Sequence, residues 1–252
     1  MTAMPHLTLM QWDFKDQLQA TARQVVNNGT PETTYYVYDG AGQRVRKVTE
    51  RQNGTRKNER TYLGGFEVYR EYGGNGTGVS LERESLHVMD DKQRIALVET
   101  RTQGSDGSPE QLIRYQFGNH LGSASLELDA AGHIISYEEY YPYGSTSYQA
   151  GRSAAEVSLK RYRYTGKERD EETGFNYHGA RYYAAWVGRW LSADPIGITE
   201  TLNLYEYVEG NPIRRSDLSG MGFWGDVWEG LKGAARGIAE PVLLTADLVR
   251  CS

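Results

Sequence analysis

The chain of 252 residues carries a single cysteine, Cys251, so no disulfide can form within it and cysteine usage says nothing about redox compartment. Apolar runs are short: none approaches the about 18 residues that a membrane-spanning helix needs. The first residues lack the basic-then-apolar order of a secretory signal. Cationic excess is also absent. The net charge is −5 and the isoelectric point about 5.6, which argues against nucleic acid as a partner. With one cysteine, and with His6, His87, His120, His133 and His178 scattered, no zinc-ligand set is present. The glycine-rich stretch 73–78 lacks the Lys-Ser/Thr pair of a phosphate-cradling loop. Neither a metal nor any other cofactor is expected.

What is abundant is tyrosine and glycine, with 19 and 29 residues against seven prolines. Tyrosine suits half-buried strands, and glycine suits tight turns. Residues 36–48 read strand, turn, strand, with Asp39 to Gly42 as the turn. The same order returns at residues 125–137, and a degenerate copy lies at 10–18. Stretches 60–72, 81–89, 95–102 and 111–116 are strand-like, separated by exposed hairpin loops at 73–78 and 103–109. Repeated hairpins that cannot each bury a face must stack or curl. The expected fold is therefore mainly β, a curved antiparallel sheet running to about residue 145, within a first region of residues 1–148. Residues 149–159 read as a polar loop. From 160 to 221 the density of aromatics predicts a segment that packs inward. Beyond Gly222, Trp224, Val227, Trp228, Leu231, Ala235 and Ile238 fall at helical spacing, up to Pro241. That helix has two readings, a membrane-binding amphipathic helix and a linker helix packed on the sheet, and its mixed charge favours the second.

Asp194-Pro195-Ile196-Gly197 and Asp217-Leu218-Ser219-Gly220 are near-copies of one motif, set where composition turns from Tyr-rich to Trp/Ala/Gly-rich. Two carboxylates near one water can divide the work of base and acid in peptide hydrolysis. Their bland alternative is turn capping, the usual task of Asp in glycine-containing turns. Arg181 is a third candidate, a guanidinium able to hold a carboxylate or steady an oxyanion. Its alternative is a structural ion pair with Asp170 or Glu171. The acidic run 168–172 reads as a solvated turn, and His178 reads as a packed histidine among tyrosines.

Several blocks carry a resemblance. They are residues 161–175, Tyr177-His178-Gly179-Ala180-Arg181-Tyr182-Tyr183, the stretch from Gly188-Arg189-Trp190 to Asp194-Pro195-Ile196-Gly197, Asn203-Leu204-Tyr205-Glu206-Tyr207 and Asn211-Pro212. These are similar to the RHS repeat-associated core domain of the RHS/YD-repeat family. The upstream Gly118-Asn119-His120-Leu121-Gly122-Ser123 and Tyr141-Pro142-Tyr143-Gly144 resemble the C components of insecticidal Tc toxin complexes and related bacterial polymorphic toxins. The resemblance implies the end of a hollow β shell, closed by a core domain at 160–221 that cuts the chain and frees an enclosed variable toxin segment beginning at 222. Carried over, Asp194, Asp217 and Arg181 are the catalytic residues and Met221–Gly222 is the scissile bond of an intramolecular, single-turnover aspartyl autoprotease. Leu218 stands where the family usually has proline, and Met221 where it usually has leucine. The freer backbone at Leu218 predicts slow or absent cleavage. The implied partners are the chain's own C-terminal segment and other Tc-type or secretion-system subunits. The implied location is secreted or cell-surface, as part of a larger exported toxin of which this chain is a fragment or truncated frame. The alternatives are a non-catalytic structural shell module and a cell-surface adhesion or carbohydrate-binding module.

Overall fold

Strand-forming residues in alternation, broken by turn signals, produce twelve consecutive strands. The computed structural model describes residues 1–222 except 2, 26–28, 30, 91–92 and 198–201. The helix expected beyond residue 222 lies outside the described residues. The strands are Leu7–Trp12 (β1), Leu18–Arg23 (β2), Glu32–Tyr38 (β3), Arg44–Arg51 (β4), Arg56–Leu63 (β5) and Phe66–Tyr72 (β6). They continue as Val79–Asp90 (β7), Gln93–Gln103 (β8), Gln111–Gly118 (β9), Ala124–Leu128 (β10), Ile134–Tyr140 (β11) and Thr146–Gly151 (β12). Each pairs antiparallel with the next, giving one open twelve-stranded sheet in sequence order.

The turns at Asp13, Asp39, Asn119 and Asp129 share one construction. The side-chain oxygen of the first residue accepts the amides two and four positions on, as Asp39 Oδ1 does from Ala41 (2.9 Å) and Gln43 (2.8 Å). Its backbone carbonyl accepts the amide three positions on, as from Gly42 at 3.1 Å. That fourth residue has positive φ, which glycine adopts without strain: Gly42 lies at +82° and Gly132 at +79°. In the degenerate copy Asp16 takes this place at +58°, a conformation that aspartate tolerates better than most residues.

Two expectations need correction. Residues 149–151 complete β12, and Ala154–Ser158 form a short helix (α1) rather than a loop. Ser153 caps that helix by accepting the Glu156 amide, and its hydroxyl donates back to the Glu156 carboxylate. The acidic run 168–172 is not a solvated turn. Glu168 and Asp170 are buried and paired with Arg44, Lys47 and Arg161, and Glu172 is paired with Lys47, while Glu171 stays exposed. The reason lies in the inverted pattern of the sheet. On β9 the inward residues include Arg114 and Gln116, whereas Tyr115 and Phe117 face outward. Inward Glu67, Glu99, Glu127 and Glu138 demand cations in return, which Arg60, Arg114, Lys160, Arg161 and Arg163 supply.

The described residues of 160–221 lie against this charged face. Their small sheet comprises Glu168–Arg169 (β13), Asn176–Tyr177 (β14), Tyr182–Ala184 (β15) and Arg189–Trp190 (β16), paired in that order. One apolar cluster joins Leu7, Leu18 and Tyr36 of the large sheet to Phe175, Tyr182, Ala184 and Leu191. Another gathers Tyr164, Tyr183, Trp190 and Tyr207. The inward packing of aromatics expected from composition is thus present, alongside an ionic lattice that composition did not disclose.

Candidate active site

The turn 178–181 between β14 and β15 carries both His178 and Arg181. Strand β16 leads through Trp190 to Asp194, and the chain returns to present residues 217–222 against the same turn. The Ala180 amide donates to the Ser219 carbonyl (3.0 Å), and Arg181 Nε donates to the Gly220 carbonyl (2.6 Å). His178 Nδ1 lies 2.7 Å from the Asp217 carbonyl.

Asp194, Asp217 and Arg181 are brought together. Arg181 Nη2 lies 2.8 Å from Asp194 Oδ2 and 3.2 Å from Asp217 Oδ2. The two carboxylate oxygens therefore cannot be farther apart than those two distances laid end to end. The guanidinium bridges the acids instead of clasping one bidentately, since Nε is committed to Gly220 and Nη1 reaches Leu204 O at 3.4 Å. Neither Asp170 nor Glu171 is the partner of Arg181; Asp170 belongs to Arg44 and Lys47. The Arg181 guanidinium also covers the Trp190 ring at 4.2 Å. Burial pushes its pKa below the ordinary value, and the two carboxylates push back.

The aspartates use their oxygens differently. Asp194 repeats the hairpin-turn construction: Oδ1 accepts the Ile196 amide (2.9 Å) and its carbonyl accepts the Gly197 amide (3.0 Å). That leaves Oδ2 for Arg181. Asp217 instead wraps its carboxylate around three successive amides. Oδ1 accepts from Gly220 (2.8 Å) and Met221 (3.2 Å), and Oδ2 accepts from Gly222 (2.8 Å). The Met221–Gly222 bond thus has its nitrogen in contact with a carboxylate that is almost wholly buried. With Leu218 in the place of proline, the Asp217 carboxylate still sits on Arg181. A cavity of about 30 Å³ is lined by Arg181, Trp190, Asp194, Glu206, Asp217 and Gly222, enough for one water. Among the described residues, no group of three His, Cys, Asp or Glu side chains could hold a metal ion.

No family model matches the chain. It is 38% identical over 216 residues to toxin subunit YenC2 of Yersinia entomophaga, covering 83% of this chain and 22% of that protein. Among solved structures, the crystal structure of TcdB2-TccC3 without its hypervariable C-terminal region matches with TM-score 0.77 at 35% identity, over 87% of this chain and 10% of that one. This chain belongs to the RHS/YD-repeat family, among the relatives of Tc toxin C components. It spans about a fifth of YenC2. The same RHS segment is 29% identical over 224 residues to the tRNA nuclease WapA of Bacillus subtilis, covering 84% of this chain and 8% of that protein.

Two further residues touch this cluster. His178, read as a packed histidine, is packed, and it also holds the Asp217 carbonyl; its place three residues before Arg181 in one turn was a usable signal. Gly220 drew no separate reading from the sequence. Its φ is +72°, and a Cβ there would meet Arg181 N at 3.0 Å and both Cβ and O of His178 at 3.3 Å. The glycine of the first motif, Gly197, has φ +80° and open space around it. Gly197→Ala is expected to cost only the left-handed backbone term, about 1–2 kcal/mol. Gly220→Ala should cost at least about 1 kcal/mol more, because the neighbouring atom is backbone and cannot swing away. Urea-unfolding midpoints of the two variants check this, and equal losses would contradict the packing described.

Proposed function

We propose that residues 160–221 form a self-cutting core domain that hydrolyses the Met221–Gly222 bond and frees a downstream toxin segment. Strands β1–β12 would be the last part of the shell enclosing that segment. The observation that carries the reading is the 2.8 Å contact between Asp217 Oδ2 and the Gly222 nitrogen, the leaving group of that bond, beside a second carboxylate on the same guanidinium. A water in the small cavity, oriented by Asp194, would attack the Met221 carbonyl carbon and give its proton to Asp217, whose oxygens rest as acceptors of the Gly220, Met221 and Gly222 amides and of Arg181 Nη2. Asp217 would then deliver that proton to the Gly222 nitrogen as the C–N bond breaks, so that a new carboxyl and a new amine result. Arg181 would offset the repulsion between the two carboxylates and hold both in place. The hydrogen bond already made by the Gly222 amide keeps acid and leaving group within reach from the outset.

The relatives support a delivery role. WapA is described as a tRNA nuclease, YenC2 as a toxin subunit, and TccC3 was crystallised without a hypervariable C-terminal region. One shared segment beside differing activities suits a module that encloses and releases, not the toxin itself. TccC3 is seen with TcdB2, and we take a B-type subunit as the partner of the full-length protein here, exported as part of a larger toxin. Among the described residues no helix is long and apolar enough to cross a membrane.

The test is mass. The chain is expressed, run on a denaturing gel and weighed intact. Two fragments are expected, the larger ending at Met221. A chain still whole after prolonged incubation would leave the non-catalytic shell module as the better reading.

A further inference from the structure

We propose that His178 is the positioning residue that turns a hairpin-turn motif into the cutting loop, by capturing the Asp217 backbone carbonyl. This inference rests on the self-cleaving reading above and assigns a new role within it. In the turns at Asp13, Asp39, Asn119, Asp129 and Asp194, the first residue's carbonyl accepts the amide three positions on. At Asp217 that carbonyl takes a hydrogen bond from His178 Nδ1 (2.7 Å), and the Gly220 amide goes to the Asp217 carboxylate instead. Oδ1 keeps the amide four positions on, that of Met221, but takes Gly220 in place of the residue two positions on, and Oδ2 is carried on to the Gly222 amide. In Asp194, where the carbonyl keeps its usual partner, Oδ1 stays on the third residue of its own turn, Ile196.

The ring is built for this one bond. A carbonyl only accepts, so Nδ1 must carry the proton and a neutral ring leaves Nε2 bare. Among the described residues Nε2 indeed has no hydrogen-bond partner, and His178 is 1% exposed. Edge-on contacts with Tyr183, Trp190 and Tyr207, at centroid distances of 5.8, 5.0 and 6.2 Å, fix its plane. Burial first, and then the positive charges of Lys167 and Arg181, push its pKa down to about 3, against the raising effect of the Asp217 carbonyl. The ring therefore stays neutral and keeps the donating tautomer throughout the physiological range.

The experiment compares His178→Phe, which keeps an aromatic ring and loses the donor, with His178→Asn, whose side-chain amide nitrogen occupies the place of Nδ1. Cleavage during cell-free synthesis is followed on gels, and thermal unfolding confirms that each variant folds. His178→Phe should cut about a hundredfold more slowly, the cost of misplacing a reacting group by about 1 Å. His178→Asn should recover to within about tenfold of wild type. Equal rates for wild type and His178→Phe, or no recovery in His178→Asn, overturn the inference while the self-cleaving reading stands. A second readout needs no cleavage. In the Asp194→Asn chain, nitrogen NMR of His178 should show the Nδ1–H tautomer, unchanged from about pH 5 to pH 8. An Nε2–H tautomer, or titration near the ordinary histidine value, overturns it even if the wild-type chain never cuts.

Discussion

Asp217→Asn is expected to slow cleavage of the Met221–Gly222 bond by at least about a thousandfold, near the upper range for loss of a general acid or base. The substitution is nearly isosteric, yet it fails twice. An amide cannot hand a proton to the leaving nitrogen. Its NH2 group must also face either the amides of Gly220 and Met221 or the pair formed by Gly222 N–H and Arg181 Nη2, setting donor against donor. Asp194→Asn should behave similarly, because its Oδ1 is held by Ile196 and its amide nitrogen would confront Arg181. Asp39→Asn supplies the control. It alters the same kind of turn in the large sheet and should leave the cutting rate unchanged. Time courses of cell-free synthesis, read by gel and intact mass, measure all three. An Asp217→Asn chain that cuts within tenfold of wild type would falsify the assignment.

Arg44→Met is expected to destabilise the fold by about 3–5 kcal/mol, the usual penalty for stripping one partner from a buried ion pair. Arg44 is fully buried on β4, with Nη2 2.7 Å from Glu168 and Nη1 2.7 Å from Asp170, and its guanidinium lies 4.4 Å over the Tyr177 ring. The methionine fills the space and leaves two buried carboxylates short of a cation. For a chain of this size the melting temperature should fall by roughly 10 °C. Acid sensitivity should rise as well. Burial raises the Glu168 pKa, but Arg44, Lys47 and Arg161 outweigh it and hold the group at about 2. A carboxyl depressed in the folded state adds stability that is present above its unfolded pKa, about 4.3, and is lost as pH falls towards 2. Without Arg44 that loss begins at higher pH, so the acid-unfolding midpoint should move upward. Circular dichroism against temperature and pH checks both shifts; unchanged midpoints would mean the lattice does not join the small sheet to the large one.

Much of this molecule was legible in the chain because its signals are local. Turns such as Asp39 to Gly42 announce themselves within five residues, and the strands follow from what lies between them. The candidate acids were legible too, since Asp194 and Asp217 repeat a short motif at a change of composition. The ion lattice was not. Glu168, Asp170 and Glu172 look solvated in sequence because the cations that pair with them lie far away; Arg44 and Asp170 are 126 positions apart. His178 was hidden for the same reason, with its acceptor 39 positions downstream.

The chain alone, then, set where the Asp-led hairpins turn, that hairpins build one antiparallel sheet, and which side chains can donate or accept a proton. Those properties depend on neighbours within a few bonds. Only the tertiary structure decided that the inward face is charged and that one guanidinium bridges both acids. It alone also gave the two Asp motifs different backbone partners, because a hydrogen bond or ion pair between distant segments exists only once the chain has closed around it.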